Sequence, residues 1–81
     1  MILTNNPELK FSDISDEEFR EYLYIIDDEP IALQISNPVA LHVSASGGHR
    51  LVDADGHSYY VAPGWIAIHF KVKEGKPAFA F

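Results

Sequence analysis

Three dipeptides in the C-terminal half, Asp55-Gly56, Pro63-Gly64 and Glu74-Gly75, each separate short runs rich in β-branched and aromatic residues. That is the pattern of β-hairpins, and it constrains the fold more than any other feature of the chain. Reading each dipeptide as a two-residue loop fixes which residues face one another. Val52, Tyr59, Val61, Ile66, Ile68, Phe70, Val72, Phe79 and Phe81 then share one face. His49, Leu51, Asp53, Ser58, Tyr60, Trp65, Ala67, His69, Lys71, Ala78 and Ala80 share the other. The first face reads as core, the second as a mixed surface in which small residues lie between aromatics. A slip of one residue at any turn exchanges the faces beyond it. Pro63-Gly64 is the weakest link, because a type II turn twists against a tight hairpin.

The same period of two extends upstream. Ile31, Leu33 and Ile35 alternate with Ala32, Gln34 and Ser36, and Val39, Leu41 and Val43 alternate with Ala40, His42 and Ser44. Asn37-Pro38 interrupts the run, and Ser46-Gly47-Gly48 offers a further turn. Short spacings favour antiparallel neighbours, since parallel pairs need long crossovers.

Before Pro30 the signals are helical. Ser15 and Glu18 have capping-box spacing, and Ile14 and Phe19 are placed as a hydrophobic staple. Asp16, Glu17 and Glu18 fall in the first turn, where the helix dipole favours negative charge. Phe19, Tyr22, Leu23 and Ile26 follow i, i+3, i+4, i+7 as one apolar stripe. Asp27-Asp28-Glu29-Pro30 stops the run, because a residue before proline is pushed out of αR geometry. The sequence therefore predicts an α+β fold: one N-terminal helix packed on a mostly antiparallel five- to six-stranded meander sheet, with room to curl toward a barrel. The expected organisation is a single domain over 1–81, with an extended arm at 1–14, a helix at 15–28 and an antiparallel sheet at 30–81.

With 81 residues and no cysteine, neither disulfides nor thiolate metal sites reinforce a small core. Very good packing or self-association must supply the difference. Asn5-Asn6-Pro7 follows Met1–Thr4 directly, so no signal-peptide apolar core is present, and no apolar run approaches the roughly 20 residues of a membrane span. A cytoplasmic protein is the expectation. The net charge of −6 is uneven: residues 8–29 carry −7 and residues 30–81 carry +1. An acidic balance disfavours a nucleic-acid backbone or an anionic membrane as partner.

Several constellations resemble chemical sites. In the inferred register Asp53, Ser58 and His69 form a row across adjacent strands, but a hydrolytic triad needs the histidine in the middle and here the serine stands there. A polar cross-strand ladder explains the row as well. The four histidines, His42, His49, His57 and His69, lack the spacing of a zinc site. Asp53-Ala54-Asp55-Gly56 opens like a calcium loop, yet His57 and Gly64 stand where the fifth and twelfth ligands belong. Ser44 to Gly48 is a glycine-containing loop, but it feeds a strand rather than a phosphate-binding helix N-terminus. No catalytic, metal or cofactor site is expected.

Trp65, Tyr60 and His69 around Ala67, Ala78 and Ala80, with His49 beside them, form the binding surface that the sequence favours. The function expected is that of a small acidic, non-enzymatic interaction module. It self-associates, a dimer being favoured, and takes a partner or ligand on the mixed face. Two alternatives remain: an acidic inhibitor or nucleic-acid mimic acting through Asp16, Glu17, Glu21, Asp27 and Asp28 on the helix at 13–29, or a small-ligand or enzyme site on the curled sheet with His49 or His69 as the titrating group.

Overall fold

In the computed structural model, which describes residues 9–75, the chain is all-β. Seven strands run in order: β1 Ser12–Asp13, β2 Glu17–Ile26, β3 Glu29–Ser36, β4 Pro38–Val43, β5 His49–Asp53, β6 Ser58–Val61 and β7 Ala67–Val72. They form a four-stranded sheet ordered β1-β4-β5-β6 and a three-stranded sheet ordered β3-β2-β7, every pairing antiparallel. The inner faces meet over Tyr22 and Ile35 from one sheet and Leu51 and Val61 from the other, all four buried.

The expected helix at 15–28 is absent, and with it the α+β class. Residues 17–26 are instead the central strand of the three-stranded sheet, paired on one side with β3 and on the other with β7. Tyr22-Leu23-Tyr24-Ile25-Ile26 is a run of strand-favouring side chains. Its turn chemistry agrees, since Asp27 and Asp28 both have positive φ, 51° and 65°. Two successive left-handed residues make the two-residue loop that joins a tight hairpin, and aspartate tolerates that region. Ile26 accordingly faces Glu29 across the turn. The first-turn signals have another use too. Asp13 accepts the Ser15 N–H at 2.8 Å, and Ile14 O accepts the Glu17 N–H at 2.9 Å, in a bend that carries the chain from one sheet to the other.

Two further expectations are corrected by register. The Asp55-Gly56 hairpin closes over three residues: Asp53 and His57 pair through Asp53 N–H to His57 O at 3.0 Å, and Gly56 takes φ 87°. This is a type I turn completed by a left-handed glycine. Val52, not Asp53, then faces Ser58. Leu51, Tyr59 and Val61 share the inner face, while Val52 points to the other side. The loop from Ser44 to Gly48 repeats the device with Gly47 at φ 94°. Pro63-Gly64 closes no hairpin at all. The segment 62–66 crosses from β6 at the edge of one sheet to β7 at the edge of the other, so the single meander becomes two sheets. Asn37, at φ 50°, makes the corresponding crossing between β3 and β4. The strand expected at 76–81, with Ala78, Phe79, Ala80 and Phe81, lies outside the described residues. Among the described residues no helix is long and apolar enough to cross a membrane.

Candidate functional site

Between the two sheets, at the end where β1 turns into β2, lies a cavity of about 730 Å³. Ile14, Leu41, Val43, Ile68 and Phe70 give it apolar walls, and Glu17, Arg20 and His49 supply a polar patch. Ser12, Asp13 and Asp16 lie toward the β1–β2 turn. Such a space, mostly apolar with a few converging polar groups, is the usual form of a small-molecule site.

The polar patch is built by an irregularity in β2. Residues three apart on a strand ordinarily point to opposite faces. The β2–β7 register shifts between Glu17 and Phe19, so one extra residue is accommodated there and Glu17 is turned onto the same inner face as Arg20. The guanidinium then meets the Glu17 carboxylate with two bonds, Nε to Oε1 at 2.8 Å and Nη2 to Oε2 at 2.6 Å. Both side chains are about 5% exposed. A buried ion pair with this fork geometry is strong and directional. Burial works against the Arg20 charge, and the bonds to Glu17 and Tyr22 more than offset it, so its pKa is raised. The guanidinium also lies 5.5 Å from the Phe70 ring centre.

The network continues into the core. Arg20 Nη1 donates to Tyr22 Oη at 3.4 Å, and Tyr22 Oη lies 2.7 Å from His49 Nδ1. Burial raises the pKa of the Tyr22 phenol, against the Arg20 contact, so the hydroxyl stays protonated. Burial, followed by the Arg20 charge, holds His49 below its ordinary value of 6.5 and keeps the ring neutral near pH 7. These states fix the direction of the chain. Tyr22 Oη accepts from Arg20 and donates to His49 Nδ1, which assigns the imidazole hydrogen to Nε2. Nε2 makes no hydrogen bond to any described residue, and among those residues no buried polar side-chain atom is left unsatisfied. The Nε2–H is therefore a donor still open on a ring that is 9% exposed. Trp65 fixes the far side of that ring, with centroids 4.7 Å apart, and packs on Tyr22 at 5.0 Å.

The residues singled out from sequence are dispersed by this fold. His49 and Trp65 do meet, but inside the sandwich rather than on an open face. Tyr60 is half exposed on the outer side of the four-stranded sheet, where Arg50 lies 5.3 Å above its ring. His69 and Ala67 are on the outer face of the three-stranded sheet, with His69 Nδ1 3.4 Å from Glu21 Oε1. Ala78 and Ala80 lie outside the described residues. Of the acidic set, Asp16 and Glu17 line the cavity, Glu21 is on an outer face and Asp27 and Asp28 cap a hairpin, so no single acidic face forms. Asp53 and Ser58 sit on the four-stranded sheet and His69 on the other, which separates the suspected triad.

Asp53 has a structural use. It accepts from the N–H groups of Asp55 and His57 at 3.0 and 2.9 Å and from the Tyr59 hydroxyl at 2.9 Å. Burial raises its pKa, but these bonds and His57 outweigh it and hold the carboxyl below the ordinary 3.8. His42 packs on Phe11 and bonds Lys10 O, and no group of three metal-ligating side chains converges among the described residues.

Arg20 and Tyr22 are not among the site residues that the sequence singles out, and Glu17 is there only as part of an acidic surface. Their only signal in sequence, an acid three residues before a base, reads as a helical ion pair. Comparison with protein-family models, curated proteins and solved structures gives no match.

Proposed function

We propose that this chain is a small-ligand binding module whose ligand enters the cavity between the sheets. The reading rests on one observation: the buried ring of His49, bonded at Nδ1 by Tyr22 at the end of the Glu17–Arg20–Tyr22 chain, lines a mostly apolar space of about 730 Å³, which leaves its Nε2–H as the donor for a ligand. A donor there calls for an acceptor on the ligand, such as a carbonyl or hydroxyl oxygen. Asp13, Asp16 and Glu17 beside Arg20 leave the lining net negative, which disfavours a carboxylate. The occupant that fits is an uncharged amphiphile with an apolar body against Ile68 and Phe70 and one acceptor near His49.

A matched series tests this: octanamide, octanoate and octylamine share one tail and differ in the head. Binding is followed by the His49 ring resonances and by the fluorescence of Trp65, the only tryptophan. Saturable binding of octanamide in preference to the two ions is expected, weakened about tenfold by His49→Leu through loss of one hydrogen bond. Equal binding of all three, or of none, would sink the proposal.

A further inference from the structure

We propose that two copies of this chain pair through β3, extending their three-stranded sheets into one. Among the described residues β3 is bonded on one side only, to β2. It is eight residues long, and its register with β2 runs from Glu29 to Ser36 without a bulge. Long, regular edges are what proteins ordinarily protect with charge, bulges or brevity. The other edges show that protection: β1 has two residues and β6 four, and β7 carries His69 and Lys71. β3 carries no charge from Pro30 to Ser36.

The free groups can be assigned. Ile26 and Glu29 flank a two-residue loop, so they exchange hydrogen bonds, and every second residue beyond them does likewise. Asn37 N–H donating to Glu18 O at 2.9 Å keeps the same phase at the far end. Glu29, Ile31, Leu33 and Ile35 therefore bond β2, while Pro30, Ala32, Gln34 and Ser36 present their backbone groups outward. Pro30, which has no N–H to offer, falls on the outward side, where a strand tolerates it.

A second copy fits this edge for two reasons. Each copy carries a net charge of −6, so copies approach most readily where the chain is uncharged, and residues 30–36 lie in such a stretch. The strand is also self-complementary. An antiparallel register centred on Leu33 opposes Ala32 to Gln34 of the second copy, bringing their outward backbone groups together. It also opposes Leu33 to Leu33 and Ile31 to Ile35 on the inner side, where Ile31 is 45% and Leu33 37% exposed in one copy. A basic protein would instead be drawn to the acids outside the strand.

The experiment is sedimentation equilibrium of the whole chain over a concentration series, joined to amide hydrogen exchange at Ala32 and Gln34. A monomer–dimer equilibrium is expected, with protection at those two amides rising as the dimer fills. Ala32→Pro removes one outward N–H and no bond to β2, and Gln34→Lys places like charges across the axis. Each should weaken the dimer about tenfold or more while the folded spectrum is kept. Should Ala32→Pro fail to fold, Gln34→Lys and the exchange data decide. A monomer at every concentration, a dimer indifferent to Gln34→Lys, or protection at Ala32 and Gln34 that does not depend on concentration would each overturn the pairing. The last outcome would assign the edge to another segment of the same chain.

Discussion

The hydroxyl of Tyr22 lies 2.7 Å from Nδ1 of His49, joining the central strand of one sheet to the opposite sheet through a fully buried phenol. It is a polar link beside an otherwise apolar core cluster, and it decides which nitrogen of His49 carries the hydrogen. Removing it by Tyr22→Phe leaves His49 Nδ1 and Arg20 Nη1 each short of a partner. The expected loss is about 1–3 kcal/mol of unfolding free energy, read from denaturant midpoints at unchanged m-value. In the parent protein a long-range ¹H–¹⁵N spectrum should show His49 as the Nε2–H tautomer. An Nδ1–H tautomer would reverse the assigned direction of the network.

The Glu17–Arg20 pair should behave asymmetrically. Glu17→Gln strands a buried guanidinium, and a cost of about 3–5 kcal/mol is expected. Replacing both together, as Glu17→Leu with Arg20→Met, removes the charge along with its partner and should recover most of that loss. A double mutant as unstable as the single one would mean that packing, not the pair, carries the effect.

Stability should fall with acid in two steps. His49 has a folded-state pKa below its ordinary 6.5, so the unfolded chain takes up its proton first. The associated stability is complete above about pH 6.5 and is lost as pH falls through the folded value. Asp53 and Asp13 are likewise lowered, so their contribution is present above about pH 3.8 and disappears below it. Denaturation midpoints between pH 8 and pH 3 test this, and His49→Gln should flatten the upper step alone.

The loop after β4 closes under a ring. A Cβ on Gly48 would run into the ring and hydroxyl of Tyr60, so Gly48→Ala should displace that half-exposed ring and cost up to about 1 kcal/mol. In the Tyr60→Ala background the same change should cost much less. Equal costs in both backgrounds would place the constraint elsewhere.

The hairpin tip offers a gain. Asp27 and Asp28 are both left-handed and carry adjacent like charges. Changing them to Asn-Gly keeps the turn and relieves the strain, so the melting temperature should rise by the equivalent of about 1 kcal/mol. A fall in stability would argue that the turn's acids are needed for something other than its geometry.

Strand periodicity, the turn dipeptides and the missing cysteines were all legible in the chain. Most of residues 30–72 do alternate as strands, and Asn37-Pro38 does interrupt them. What misled was ambiguity of period. Phe19, Tyr22, Leu23 and Ile26 fit a helical stripe, yet Tyr22 to Ile26 fit a strand equally well, and the two positive-φ aspartates tip the balance. The faces of β5 were exchanged, His49 and Leu51 turning inward with Tyr59 and Val61 while Val52 turns outward, because the loop holds three residues, not two, a difference that Asp55-Gly56 does not disclose.

By itself, then, the sequence determined local preference: which segments are extended, where the chain turns, and that the molecule is acidic and free of disulfides. The tertiary structure alone decided partnership. It split one expected sheet into two, because the segment 62–66 passes from the edge of one sheet to the edge of the other instead of turning back on itself. A single irregularity in β2 brought Glu17 round to Arg20. Pairing, register and bulges depend on residues far apart in the chain, and no local window of sequence contains them.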